Sequence, residues 1–190
     1  MKTQVRVLGI DDSPFRFRDE RAIVIGALVR IPNYLESVMK TEVAVDGTDA
    51  TANLAKMINL SRYKDQIEAV MLDGITLAGF NIVDIEQLSN STDTPIVTVT
   101  RDKPDLDKMR SALTKHFDDW ESRCALITKL ELRKVKTEHR PIFVSSYGGD
   151  EHELDALVVA ATVRGAVPEP IRMAHLIASA LVRGESYGNP

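Results

Sequence analysis

The chain has 190 residues, of which 44% are hydrophobic and 27% charged, the make-up of a globular protein with a sizeable core. Its net charge of −4 excludes wholesale coating of nucleic acid through bulk positive charge, while leaving room for a local basic patch. The single cysteine, Cys124, excludes an internal disulfide and a multi-thiolate zinc centre, and fits a reducing, cytoplasmic setting.

In chain order, MKTQVRVLGI is too short and polar for a signal peptide, and no later stretch approaches the ~18 apolar residues of a membrane span. Three β-rich segments come first: 4–11, 21–31 and 34–46, joined by short linkers that predict an antiparallel meander. Residues 49–61 read as a helix, with Ala50, Leu54, Met57 and Ile58 on one face. A strand follows at 67–73, then a short helix from Ile82 and a strand at 95–100. Leu106, Met109, Leu113 and Phe117 repeat at helical spacing behind Pro104, which suits a first turn, and 121–131 extends the helical region. Segments 132–137 and 141–145 form a strand pair, and helices over 151–164 and 170–183 close the chain. Gly165 and Gly184 stand where helix C-terminal glycines belong. The length and the absence of a linker predict one domain over 1–190, with 185–190 as a loose tail.

The chemistry concentrates at two strand ends. VRVLGIDDS and IEAVMLDGIT are apolar runs that end in Asp11 and Asp73. A carboxylate at the end of a buried strand is costly without a partner. Two on adjacent strands suit a hard divalent cation such as Mg²⁺ or Mn²⁺. The bland readings are also available. Asp11-Asp12-Ser13-Pro14 and Asp73-Gly74 are common turn strings, Asp49 suits a helix N-cap, and an isolated histidine such as His175 is most often a partly buried, hydrogen-bonded side chain. The stripe Arg123, Lys129, Arg133, Lys134, Lys136 and Arg140 is interrupted by Glu131 and Glu138, so it reads as a solvated face ahead of a phosphate track. Ser145 to Asp150 reads as a strand-to-helix connection, and Cys124 as a core residue.

The order of elements, three strands, helix, strand, helix, strand, then helices, is that of the ribonuclease H-like fold. Over most of its length the chain resembles endonuclease V. Gly9-Ile10-Asp11 resembles that family's first-strand motif, Leu72-Asp73-Gly74-Ile75 its second aspartate motif, and the strand ending in Arg101 its lysine-terminated strand. Val167-Pro168-Glu169-Pro170-Ile171-Arg172-Met173-Ala174-His175 resembles its late proline-glutamate segment, whose last residue supports metal binding. DGTDAT (46–51) and LDGITLAGFNIVDI (72–85) resemble, more narrowly, an uncharacterised, mainly archaeal family related to endonuclease V.

The resemblance implies an α/β ribonuclease H-like mixed sheet, three antiparallel strands then parallel ones, flanked by helices. It implies a divalent-metal-dependent nuclease acting on structured or modified DNA or RNA. Asp11 and Asp73 would hold Mg²⁺ or Mn²⁺, His175 would assist, and Arg101 would bind a phosphate. The family's catalytic glutamate falls on Ala52 here, beside Thr51, so Asp49 or Asp12 would replace it; its tyrosine-proline wedge has no counterpart before Asp49. The alternatives are a binding module without hydrolysis, and metal-dependent chemistry on a smaller phosphate ester.

Overall fold

The computed structural model describes residues 4–16 and 18–186. Nine strands and six α-helices are defined among them: β1 (Arg6–Asp12), β2 (Arg21–Arg30), β3 (Tyr34–Ala44), α1 (Ala50–Asn59), β4 (Ile67–Asp73), β5 (Thr76–Leu77), β6 (Asn81–Ile82), α2 (Ile85–Thr92), β7 (Ile96–Thr100), α3 (Leu106–His116), α4 (Trp120–Thr128), β8 (Arg133–Val135), β9 (Ile142–Tyr147), α5 (Glu151–Ala161) and α6 (Glu169–Arg183). Seven strands form one sheet in the order β3-β2-β1-β4-β7-β9-β8, while β5 and β6 form a small hairpin outside it. β1, β2 and β3 are antiparallel, and β1, β4 and β7 run parallel. β9 and β8 add an antiparallel hairpin at the far edge. The predicted mixed sheet is therefore present, with the late strand pair as its edge.

The central strands read as unbroken apolar runs because helices cover both faces. Alternate residues sort them. Leu8, Ile10, Val70, Leu72 and Ile96 pack with Leu54 and Ile58 of α1 and Leu88 of α2. Val7, Ala69, Met71, Val97 and Val99 pack with Leu154, Leu157 and Val158 of α5 and Ile171 of α6. By the same alternation, Asp11 and Asp73 continue the second face at the ends of their strands, and Asp12 continues the first. α3 and α4 build a separate small core, where Leu113 and Ile127 meet Ile75, Ile82 and Phe80 of the β5–β6 region.

Several boundaries differ from the periodicity. The helix expected from Ile82 starts at Ile85, since residues 76–82 are used by the hairpin and Asp84 caps the helix by accepting from the Gln87 N–H at 2.9 Å. α3 starts after Pro104, because Asp105 caps it through the Lys108 N–H at 3.0 Å. α5 ends at Ala161, so Gly165 terminates no helix, whereas Gly184 does close α6 in the left-handed conformation. Of the tail expected to be loose, residues 187–190 lie outside the described residues.

Candidate functional site

Asp11 and Asp73 stand one position beyond Ile10 and Leu72, which are partners in the parallel β1–β4 pair. Their carboxylates therefore emerge side by side on the α6 face. A single close approach brings α6 to them. Gly9 has no side chain, and a Cβ there would collide with the Pro170 carbonyl group. The first turn of α6 thus rests directly on the β1 backbone, and one helical turn later His175 reaches the strand end. Its Nδ1 lies 2.8 Å from Asp11 Oδ2, so the imidazole N–H donates to the carboxylate. Asp11 is only 5% exposed, and its other oxygen accepts from the Asp12 N–H at 2.9 Å.

The electrostatics of the cluster follow from burial. Asp73 is pushed up to about 6 by burial and by the Asp11 charge, against the opposing pull of Arg101 and His175. Asp12 is pushed up to about 7, again by burial first and by Asp11 second, with Asp73 adding to it. The hydrogen bond to Asp11 raises His175 above the usual imidazole value. Arg101, the residue after β7, is close enough to act on both Asp73 and His175. Its backbone is fixed by Arg140, which donates to the Arg101 carbonyl at 2.6 Å and to the Asp102 carboxylate at 2.7 Å. Asp11, Asp73, His175 and Arg101 are thus brought together.

Asp49 is held elsewhere. Its Oδ1 accepts from the Ala44 N–H at 2.9 Å and the Asn81 amide at 2.7 Å; its Oδ2 accepts from Asn53 at 2.9 Å and Arg21 at 3.2 Å. Burial alone would raise its pKa, but these bonds outweigh it and hold the group below the ordinary carboxylate value. Asn81, fully buried, also accepts from the Ala50 N–H at 3.0 Å and donates to the Ala44 carbonyl at 2.9 Å. Two more carboxylates grip the hairpin tip: Asp12 accepts from the Ala78 N–H at 2.9 Å, and Asp46 from the Phe80 N–H at 2.8 Å. Gly79 is needed between them, at φ +88° and with the Asp46 carboxylate filling the space a Cβ would take. The DGTDAT and LAGFN segments therefore lock each other. Thr51, at the place of the absent glutamate, accepts from the Asp84 N–H at 3.0 Å.

Beside Asp73 and Gly74 lies a cavity of about 310 Å³, lined by Thr76, Thr98, Thr100, Leu106, Met109 and Ile127 among others. Thr100 is among the lining residues, but its hydroxyl is fully buried and has no hydrogen-bond partner. The volume is at the small end of ligand pockets, which run to about 300–1,000 Å³.

Among the described residues, no three His, Cys, Asp or Glu side chains are grouped tightly enough to hold a metal ion. Two adjacent carboxylates, Asp11 and Asp73, still fit Mg²⁺, which usually keeps several waters and takes one or two carboxylates plus substrate phosphate. The donor set is hard oxygen throughout, and a cation would relieve the repulsion that now raises Asp12 and Asp73.

Comparison with known proteins shows the family and the fold. A family model described as Endonuclease dU matches residues 3–182. The chain belongs to the Endonuclease dU family. A UPF0215 protein of Methanothermobacter thermautotrophicus is 38% identical, over 100% of this chain and 93% of its own length. The crystal structure of a protein of unknown function from Archaeoglobus fulgidus is 37% identical, with a TM-score of 0.85 over 94% of this chain and 99% of that one. Endonuclease V of Ciona intestinalis, in complex with a 24mer DNA containing an inosine followed by a ribo-adenosine, is 15% identical, with a TM-score of 0.62 over 95% of this chain and 87% of that one. The chain thus shares the endonuclease V fold.

The basic stripe is a solvated face at Lys129, Lys134, Lys136 and Arg140, but not at Arg123. Arg123, expected on a solvated face, is 7% exposed, stacks 4.3 Å over the Phe117 ring, and donates to the Phe80 carbonyl at 2.6 Å and the Gly47 carbonyl at 3.1 Å. Arg133 is paired with Asp155 at 2.7 Å, while Lys134 and Lys136 are exposed. Sequence reasoning missed the pocket. The only local signal was Gly79 in a run otherwise read as leading into a helix. No helix among the described residues is long and apolar enough to cross a membrane.

Proposed function

We propose that this protein is a divalent-metal-dependent endonuclease that cuts nucleic acid at a modified base, with uracil in DNA as that base. The observation that carries the reading is the pair of carboxylates, Asp11 and Asp73, at neighbouring parallel strand ends, with His175 bonded to one and a base-sized pocket opening at the other. Asp11 and Asp73 are the residues that would hold the cation. When bound, it supplies a Lewis acid and a water of lowered pKa.

The chain's own groups do the rest. His175 fixes the Asp11 carboxylate and keeps its second ring nitrogen for a phosphate or water. Arg101 binds a phosphate oxygen with a planar, permanently charged fork. The pocket receives the base, whose carbonyl edge suits the Thr76 hydroxyl in its lining. Asp12 and Asp49 act through the hairpin they pin, as positioning residues. The name of the family supports uracil, and the DNA in the Ciona intestinalis complex supports nucleic acid as the partner.

A second reading is a binding module that recognises the same nucleic acid without cutting it. Thr51-Ala52 at the place of the glutamate, and the absence of a third grouped ligand among the described residues, favour it. The two are separated by incubating the protein with Mn²⁺ or Mg²⁺ and matched oligonucleotides bearing uracil, inosine or unmodified bases, in DNA and RNA. Scission confined to the modified strand supports the endonuclease. Saturable binding with no scission under either metal supports the module.

A further inference from the structure

The sheet register sets one lysine of the basic stripe on the same face as the cavity. Thr100 of β7 stands opposite Phe143 of β9, and Phe143 opposite Lys134 of β8. Residues directly opposite one another share a face of a sheet. Lys134 therefore lies on the face of Thr98 and Thr100, both of which line the cavity. Leu132, just before β8, lines it too. The residues on either side of Lys134 turn the other way: Arg133 pairs with Asp155 of α5 at 2.7 Å, and Val135 packs in the core beneath α5. Lys136 follows directly after the strand and is exposed, as is Lys134.

A lysine on an edge strand is ordinarily a solvated charge that deters strand pairing. Three observations favour a ligand here. First, the face is open: among the described residues, Phe143 is half-buried and joins none of the hydrophobic cores. Second, the β8–β9 loop lies at the Asp73 end of the sheet, because Thr100, at the end of β7, pairs with Phe143, near the start of β9. Arg140 ties that loop to the Arg101 turn, donating to the Arg101 carbonyl at 2.6 Å and to the Asp102 carboxylate at 2.7 Å. Third, the charge is available. Asp102 offsets Arg140, and Glu138 opposes the loop's positive charge, but Lys134 and Lys136 enter no ion pair among the described residues. Spacing agrees as well. With β9 between them, Lys134 and Thr100 are about 10 Å apart at the usual strand separation, about three steps along a nucleic-acid strand.

Building on the endonuclease reading, we infer that the cavity-side face of the β8–β9 edge is a track for the nucleic-acid backbone: Lys134 and Lys136 contact phosphates flanking the target nucleotide, in line with Arg101. Phosphate contacts carry no sequence information, so the two lysines hold modified and unmodified strands alike. Arg123 and Arg133 are excluded from the track, being committed to the hairpin carbonyls and to Asp155.

The test measures affinity against salt by fluorescence anisotropy, in metal-free buffer so that the strands stay whole, for a uracil-bearing duplex and its unmodified counterpart. Wild type is compared with Lys134→Ala/Lys136→Ala. The control is Lys40→Ala/Lys56→Ala, which removes the same charge beside β3, at the opposite edge of the sheet. Melting temperatures confirm that each variant is folded. The Lys134/Lys136 variant is expected to bind both duplexes about 10-fold more weakly and to lower the slope of log affinity against log salt by about 2, one released counterion per lost phosphate contact. The control is expected to change neither. An unchanged slope in the Lys134/Lys136 variant, or an equal fall in the control, overturns the track; scission of the uracil strand by wild type with Mn²⁺ then leaves the endonuclease reading intact. The expected slopes without scission keep the track and overturn the endonuclease. A wild-type protein that neither binds nor cuts any of these strands overturns both.

Discussion

Asp12 and Asp73 are charged groups held where charge is disfavoured, and that has a measurable sign. An ordinary aspartate titrates near ~3.9, whereas burial and the Asp11 charge lift Asp73 to about 6 and Asp12 to about 7. The folded protein therefore binds these protons more tightly than the unfolded chain does. In metal-free buffer, stability falls as pH rises from about 4 towards 7. His175, raised by its bond to Asp11, acts in the same sense: its contribution is present at low pH and lost as pH passes its raised value. Asp73→Asn and Asp12→Asn are each expected to raise the melting temperature at pH 7.5 in metal-free buffer, by about 2–6 °C for a gain of ~1–2 kcal/mol. In Asp12→Asn the side-chain amide oxygen would still accept the Ala78 N–H, so the hairpin contact survives. A lower melting temperature for both variants would show that the carboxylates are structural. The strand-end aspartates were legible because a carboxylate closing an apolar run is a local signal. The partnership of His175 with Asp11 was not, since 164 residues separate them and only the likeness of the PEPIRMAH segment suggested it.

At the scale of elements, the site depends on how α6 sits on β1. Gly9 permits the contact, and any side chain there meets the Pro170 carbonyl. Gly9→Ala is expected to cost ~3 kcal/mol, the upper end for overpacking because backbone rather than a flexible side chain must give way. It should also weaken the His175–Asp11 bond. Denaturant melts measure the first effect, and the pH midpoint of the His175 ring resonances measures the second: it should move down towards the unperturbed imidazole value. An unchanged midpoint in a folded Gly9→Ala protein would detach α6 placement from the site. The β5–β6 hairpin is the element that periodicity could not see. Two-residue strands carry no alternation, and the lock between Asp46, Asp49 and Asn81 is made of residues whose local strings also spell turn and cap. Asp49 illustrates the ambiguity: the position that suits an N-cap serves a tertiary knot here, and its side chain makes no capping bond to α1.

At the scale of the molecule, a mixed seven-stranded sheet covered by helices on both faces delivers the buried Asp11 and half-buried Asp73 to one end, beside a pocket and a guanidinium. The order of strands and helices, with the endonuclease V resemblance, sufficed to read the sheet and its two strand-end carboxylates, but not the pocket. The separate α3–α4 layer, which walls the pocket, was readable as helices but not as a wall, because Leu106, Met109 and Ile127 carry no mark of what they face. The chain's net charge of −4 makes any hold on nucleic acid local to the site, and therefore dependent on these few residues and on salt. The most direct measurement is single-turnover cleavage of one uracil-bearing duplex with Mn²⁺, by wild type and Asp73→Asn in parallel. Wild type is predicted to cut at the uracil, and Asp73→Asn to be slower by about 10³-fold or more, the scale of removing one preorganised electrostatic group from a transition state, while keeping or raising its melting temperature. Equal cleavage by the two proteins would contradict the assignment of Asp73 and, with it, the active site proposed for this fold.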